Sequence, residues 1–148
     1  MVKKYLTPLL QSSTDKVSGL SFLMLRIGAC SLMVYLHGWP KIKNYWEGQN
    51  GLPELIGLSP ESGLLLAIFA EVICSFLLAL GFLTRIAVIP LSFTMVVATF
   101  IFNADQALIV KEKAILYLIV YLFFLVAGAG KYSIDHLLAQ KINSAQSI

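Results

Sequence analysis

Residues 20–41, LSFLMLRIGACSLMVYLHGWPK, decide how this chain is read. The run has the length and apolarity of a helix that crosses a bilayer, which takes roughly 17–25 residues. Yet Arg26 stands inside it and His37 near one end. A lone charge at the centre of a bilayer costs at least about 2.5–3.5 kcal/mol, so Arg26 must have a partner.

The rest of the chain agrees with a membrane reading. Of 148 residues, 58% are hydrophobic and only 13% charged, too little polar surface for a soluble domain of this size. The net charge of +3 has no dense Lys/Arg run behind it, which argues against nucleic acid as a partner and leaves the lipid bilayer as the main one. Cys30 and Cys74 both lie in apolar runs without a C-x-x-C pairing and read as small buried hydrophobes. No metal-ligand spacing, nucleophilic triad, phosphate loop or haem-attachment motif is present, so no metal is expected. Residues 1–19 are too long and mixed for the charged start of a signal peptide, and Arg26 would break its apolar core. The first apolar segment is therefore read as a retained span.

Four apolar runs, at 17–39, 63–83, 86–102 and 114–130, predict an all-α integral membrane four-helix bundle built as one domain over residues 1–148. Between the second and third runs, LGFLTR at 80–85 is a tight turn in which Gly81 ends one helix and Thr84 caps the next. Ser59, Pro60 and Glu61 read as a helix start: a cap, a proline in the first turn and an acid at the positive end. Ser133 and Asp135 repeat that logic ahead of a short amphipathic tail carrying Ile134, Leu137, Leu138 and Ile142. An N-in/C-in arrangement puts Lys3, Lys4, Lys16, Arg85, Lys131 and Lys141 inside and leaves Lys41, Lys43, Lys111 and Lys113 outside, a small excess in the expected direction.

The partner expected for Arg26 is Glu71. Counted from span edges at 17 and 83, the two lie ~14 Å and ~18 Å deep, at similar levels on antiparallel neighbours. Such a pair either fixes helix packing or holds Glu71 ready for proton transfer. Arg26, Cys30, Met33 and His37 form one stripe along the first helix, which brings His37 to the outer mouth of the bundle. There it is either an interfacial residue beside Trp39 or a proton-transferring imidazole. Lys41, Asn103, Asp105 and Glu112 are expected at the same outer level, so that Glu71 and His37 are the candidate catalytic residues. Arg26, Lys41, Asn103, Asp105 and Glu112 are the candidate binding residues. Glu112 is equally an ordinary acid at a helix start.

In order and spacing, LRIG with HGWPK, AEVICSFLLALGFLTR, EKAILYL and GAGKYSIDHLL resemble the DoxX family of small four-span membrane proteins, over residues 20–137. The positions matching its polar pattern are Arg26, His37, Gly38, Lys41, Glu71, Gly81, Arg85, Glu112, Gly130, Ser133 and Asp135. The resemblance implies a multi-pass protein of the bacterial cytoplasmic (inner) membrane. The family takes its name from a subunit of a thiosulfate:quinone oxidoreductase, and some members are linked to redox-stress complexes. Quinone is therefore the candidate cofactor, with redox subunits or further copies of the chain as candidate partners. One departure is that the family's third span often ends in a histidine, where this chain has Asn103 and Asp105. Three functions stand open: a membrane subunit of a quinone-linked redox system, a small-molecule binding or transport module without chemistry, and a structural scaffold.

Overall fold

The computed structural model describes residues 15–49, 54 and 57–145, and every described regular element is a helix. The first rod joins α1 (Asp15–Met33), a π-helical segment (Val34–Gly38) and α2 (Trp39–Trp46). The second joins α3 (Pro60–Ile68), a π-helical segment (Phe69–Cys74) and α4 (Ser75–Leu80). The third is α5 (Thr84–Val97) running into a π-helical segment (Ala98–Phe102). Then come α6 (Leu108–Ala127) and α7 (Ile134–Ala145), the amphipathic tail.

Three of these rods, Ser18–Trp46, Pro60–Leu80 and Thr84–Phe102, are long and apolar enough to cross a membrane. Only 22%, 33% and 28% of their most apolar windows are buried inside the protein, so most of that apolar surface faces outward. In water such an exterior would be untenable; against lipid it is the expected solvent-facing side. The outward residues are large and apolar at every level, among them Met24, Ile27, Leu66, Phe69, Ile86 and Phe93. α6 begins before its expected span and carries Lys111, Glu112 and Lys113 in its first two turns, with apolar sequence beyond them.

The third rod and α6 form the most extensive packing, α1 packs against α4, and the π segments of the first and second rods touch. Phe22 of α1 meets Phe123 and Phe124 of α6, with ring centroids 5.1 and 6.3 Å apart. The core at the centre is Met33, Leu78, Val88, Leu91, Tyr121 and Phe124, all fully buried.

The first rod runs to Trp46, well beyond the end expected at Trp39. Pro40 does not stop it because a proline is tolerated in the first turn of a helix, and α2 restarts there after the π segment. Ser59 caps α3 as expected, its hydroxyl accepting from Ser62 N–H at 3.3 Å.

Candidate functional site

The polar residues form two groups at opposite ends of the rods. At one end the LGFLTR turn and the GAGKYSIDHLL segment are tied together by Arg26. α4 closes with Phe82 N–H donating to the Leu77 carbonyl and Gly81 N–H to that of Leu78, both at 2.9 Å, while Gly81 turns left-handed at φ 66°. That closure leaves the Ala79 carbonyl open, and Arg26 Nε donates to it at 3.1 Å. The same guanidinium donates through Nη1 to the Ala129 carbonyl and through Nη2 to Tyr132, the latter at 2.7 Å. Arg26 is 1% exposed, yet three carbonyls surround its charge, one in the last turn of α4 and two in the segment that follows α6. Helix C-termini concentrate unpaired carbonyls and partial negative charge, which is what a buried cation requires.

The pairing of Arg26 with Glu71 expected from the sequence is therefore not the one formed. Arg26 is level with Ala79, eight residues from Glu71, or roughly 12 Å along the helix. The expected register failed because the first rod extends further toward its N-terminus beside the 128–135 segment. Gly19 approaches the Tyr132 ring and Gly130 approaches Phe22. Arg26 thus belongs to the end of the second rod, below its middle.

Thr84 does not cap the third rod either; its hydroxyl is buried and has no partner among the described residues. The cap arrives from the tail. Asp135 accepts from Leu83 N–H at 2.8 Å and Thr84 N–H at 2.9 Å, one with each carboxylate oxygen. Leu83 needs that hold because it is a non-glycine residue in the left-handed region, at φ 49°. Ser133 does cap α7, accepting from His136 N–H at 3.2 Å.

At the other end, Lys41 Nζ and Glu71 Oε2 are 2.6 Å apart, with side chains 23% and 6% exposed. Gly38 makes the approach feasible: a Cβ there would come within 2.6 Å of Val72 Cγ2. The half-buried His37 lies in the field of Glu71, Lys41 and Lys113. Its ring meets Tyr117 edge-on at 5.9 Å, and Tyr117 stacks on Tyr121 at 6.0 Å. His37, Glu71 and Thr99 each belong to a π-helical segment, one in each of the three membrane-capable rods. Such widened turns recur at functional sites because they re-aim side chains that a regular helix would point elsewhere.

The expected stripe of Arg26, Cys30 and Met33 is buried, with His37 at its half-buried end. The structure brings together His37, Lys41 and Glu71. Asn103 is spent locally, its side-chain amide donating to the Ala98 carbonyl at 2.7 Å. Asp105 and Glu112 are exposed, and the Lys41–Glu71 pair forms without them. Lys113, Tyr117 and Tyr121 were missed by sequence reasoning. Their i, i+4, i+8 spacing on α6 was the available signal, since it puts a cation and two phenols on one face.

A three-residue turn tied by a buried arginine, with a lysine–glutamate pair at the far end of the same apolar rods, defines a small multi-pass membrane protein. The chain belongs to the DoxX family: the DoxX family model matches residues 21–104, more than half of it. The match takes in the three membrane-capable rods, and so includes Arg26, His37, Lys41 and Glu71. No curated protein and no solved structure matches the chain.

Proposed function

We propose that this protein is the membrane subunit of a quinone-linked redox or redox-stress system in the bacterial cytoplasmic membrane. In this reading α6 is a fourth span, the four helices form a bundle, and both ends of the chain lie inside. The His37, Lys41 and Glu71 cluster then opens toward the outer face and exchanges protons with the redox reaction.

The observation that carries the reading is the Lys41–Glu71 pair at 2.6 Å, with His37 and the Tyr117–Tyr121 stack beside it. A buried carboxylate paired with an ammonium that water still reaches, beside an imidazole and two phenols, is the kind of cluster that recurs at proton-handling sites. Helix packing at the other end is already secured by Arg26 and Asp135, so the outer group is free for another task. Quinone enters through the family resemblance, and redox partner subunits with it.

A binding module without redox chemistry is the second reading, favoured by a groove on the outer surface between the first and second rods. Quinone-dependent turnover of membranes holding the protein with its partners separates the two. Glu71→Gln is expected to abolish that turnover while the folded protein stays in the membrane. Unchanged turnover would remove Glu71 from the mechanism.

A further inference from the structure

The groove between the first and second rods has a volume of about 300 Å³ and is walled by Ser31, Val34, Tyr35, Trp39 and Phe76 with Cys30, Ser75 and Ala79 behind them. Tyr35, Trp39 and Phe76 are exposed on the face that the membrane reading gives to lipid. A molecule reaching the groove would therefore come laterally out of the bilayer. The volume stands at the lower end of ligand sites, enough for one ring rather than a fused system.

One feature distinguishes this groove from an ordinary gap between helices. Ser75 is 0% exposed, stands in the groove wall, and among the described residues its hydroxyl has no hydrogen-bonding neighbour but the Tyr121 hydroxyl. Behind it lies Tyr121, also fully buried, whose hydroxyl is within hydrogen-bonding reach of Ser75. A bond between the two hydroxyls uses only one of their two protons, and a buried hydroxyl proton left unpaired is costly, so the pair still calls for one acceptor. Ser75 is one turn below Glu71 on the second rod, and Tyr121 one turn below Tyr117 on α6. The polar group at the outer end thus continues inward to the back of the groove.

We propose that the groove is a ligand site for a lipid-soluble molecule with a single-ring, carbonyl-bearing head, whose oxygen accepts a hydrogen bond from Ser75 while its tail stays in the bilayer. This deepens the quinone reading and rests on it for the redox chemistry alone; the site itself follows from the groove and the one hydroxyl proton of the Ser75–Tyr121 pair that lacks an acceptor. It also moves the ring away from Glu71, which then exchanges protons with the head through the tyrosine stack rather than by touching it.

The experiment measures saturable binding to the purified protein in lipid nanodiscs, against empty discs. Two probes are used: decylubiquinone, and decyl phenyl ketone, which offers a carbonyl without redox chemistry. Ser31 is exposed at the groove mouth, so Ser31→Trp fills the groove without disturbing the core. Ser31→Trp is expected to remove saturable binding of both probes, and Ser75→Ala to weaken it by about threefold to tenfold, the worth of one hydrogen bond. Both variants are to be shown folded by their unfolding curves. Ketone binding sensitive to Ser31→Trp, with no quinone binding, would uphold the groove and overturn the quinone reading. Quinone binding unchanged in both variants would overturn the groove and leave the quinone reading standing. Binding of neither probe by the wild-type chain would overturn the groove as well.

Discussion

Pairwise replacement of the buried charges gives a sharp test of the register. The variants are Lys41→Met, Arg26→Met and Glu71→Met, alone and in the two doubles that share Glu71. Breaking a buried ion pair by removing one partner costs about 3–5 kcal/mol. Lys41 is 23% exposed, and water screens part of its charge, so Lys41→Met is expected to cost about 2–3 kcal/mol. Removing both charges takes away the stranded carboxylate, and Lys41→Met/Glu71→Met should return close to wild-type stability. Arg26→Met acts differently. It strands the carbonyls of Ala79, Ala129 and Tyr132, at about 1–3 kcal/mol each, for a loss of about 3–6 kcal/mol allowing for partial relaxation. Glu71→Met cannot restore those partners. Any direct attraction between Arg26 and Glu71 acts over roughly 12 Å, about 1.4 kcal/mol at most for an effective dielectric near 20. The assay is unfolding in mild detergent titrated with sodium dodecyl sulfate, read as two double-mutant cycles. Rescue of Arg26→Met by Glu71→Met, with none for Lys41→Met, would refute the register described here.

Three further outcomes follow from single positions. Gly81→Ala would put a Cβ 2.5 Å from that of Ser133 and 2.6 Å from the Arg26 guanidinium at φ 66°, and should cost about 2–4 kcal/mol by the same assay. Gly28→Ala, with nothing within 4 Å, is the matched control and should be neutral or slightly stabilising. Asp135→Ala should cost about 1–2 kcal/mol and accelerate amide exchange at Leu83 and Thr84, with Asp135→Asn intermediate because it keeps one accepting oxygen. Gly38→Ala should cost about 1–3 kcal/mol by pushing Val72 off the first rod, and Val72→Ala should restore much of the loss.

The apolar runs made the helices legible because membrane spans are written in composition, and composition survives without any knowledge of contacts. Ser59, Gly81 and Ser133 announced their local roles for the same reason: each acts on its own few neighbours. Asp135 stands in the first turn of its own helix as read, but its second role was not legible, because only three-dimensional packing brings the tail beneath Leu83 and Thr84. The partner of Arg26 was misread because an arginine can be satisfied by backbone carbonyls, which carry no letter in the sequence. Glu71 was recognised as needing a cation, but Lys41 lay beyond the expected helix end at Trp39. Pro40 hid the continuation that carries Lys41 onto the second rod. The π-helical segments add a further shift, since each extra residue in a turn rotates everything beyond it.

The most direct test of the functional account is the quinone content of the protein purified in mild detergent. It is extracted with organic solvent and quantified per chain by chromatography, with an unrelated membrane protein from the same membranes as the baseline. The account predicts near-stoichiometric quinone in the wild type, lost when Ser31→Trp fills the groove. Quinone no higher than the baseline, in protein taken up directly into nanodiscs without a detergent wash, would contradict it.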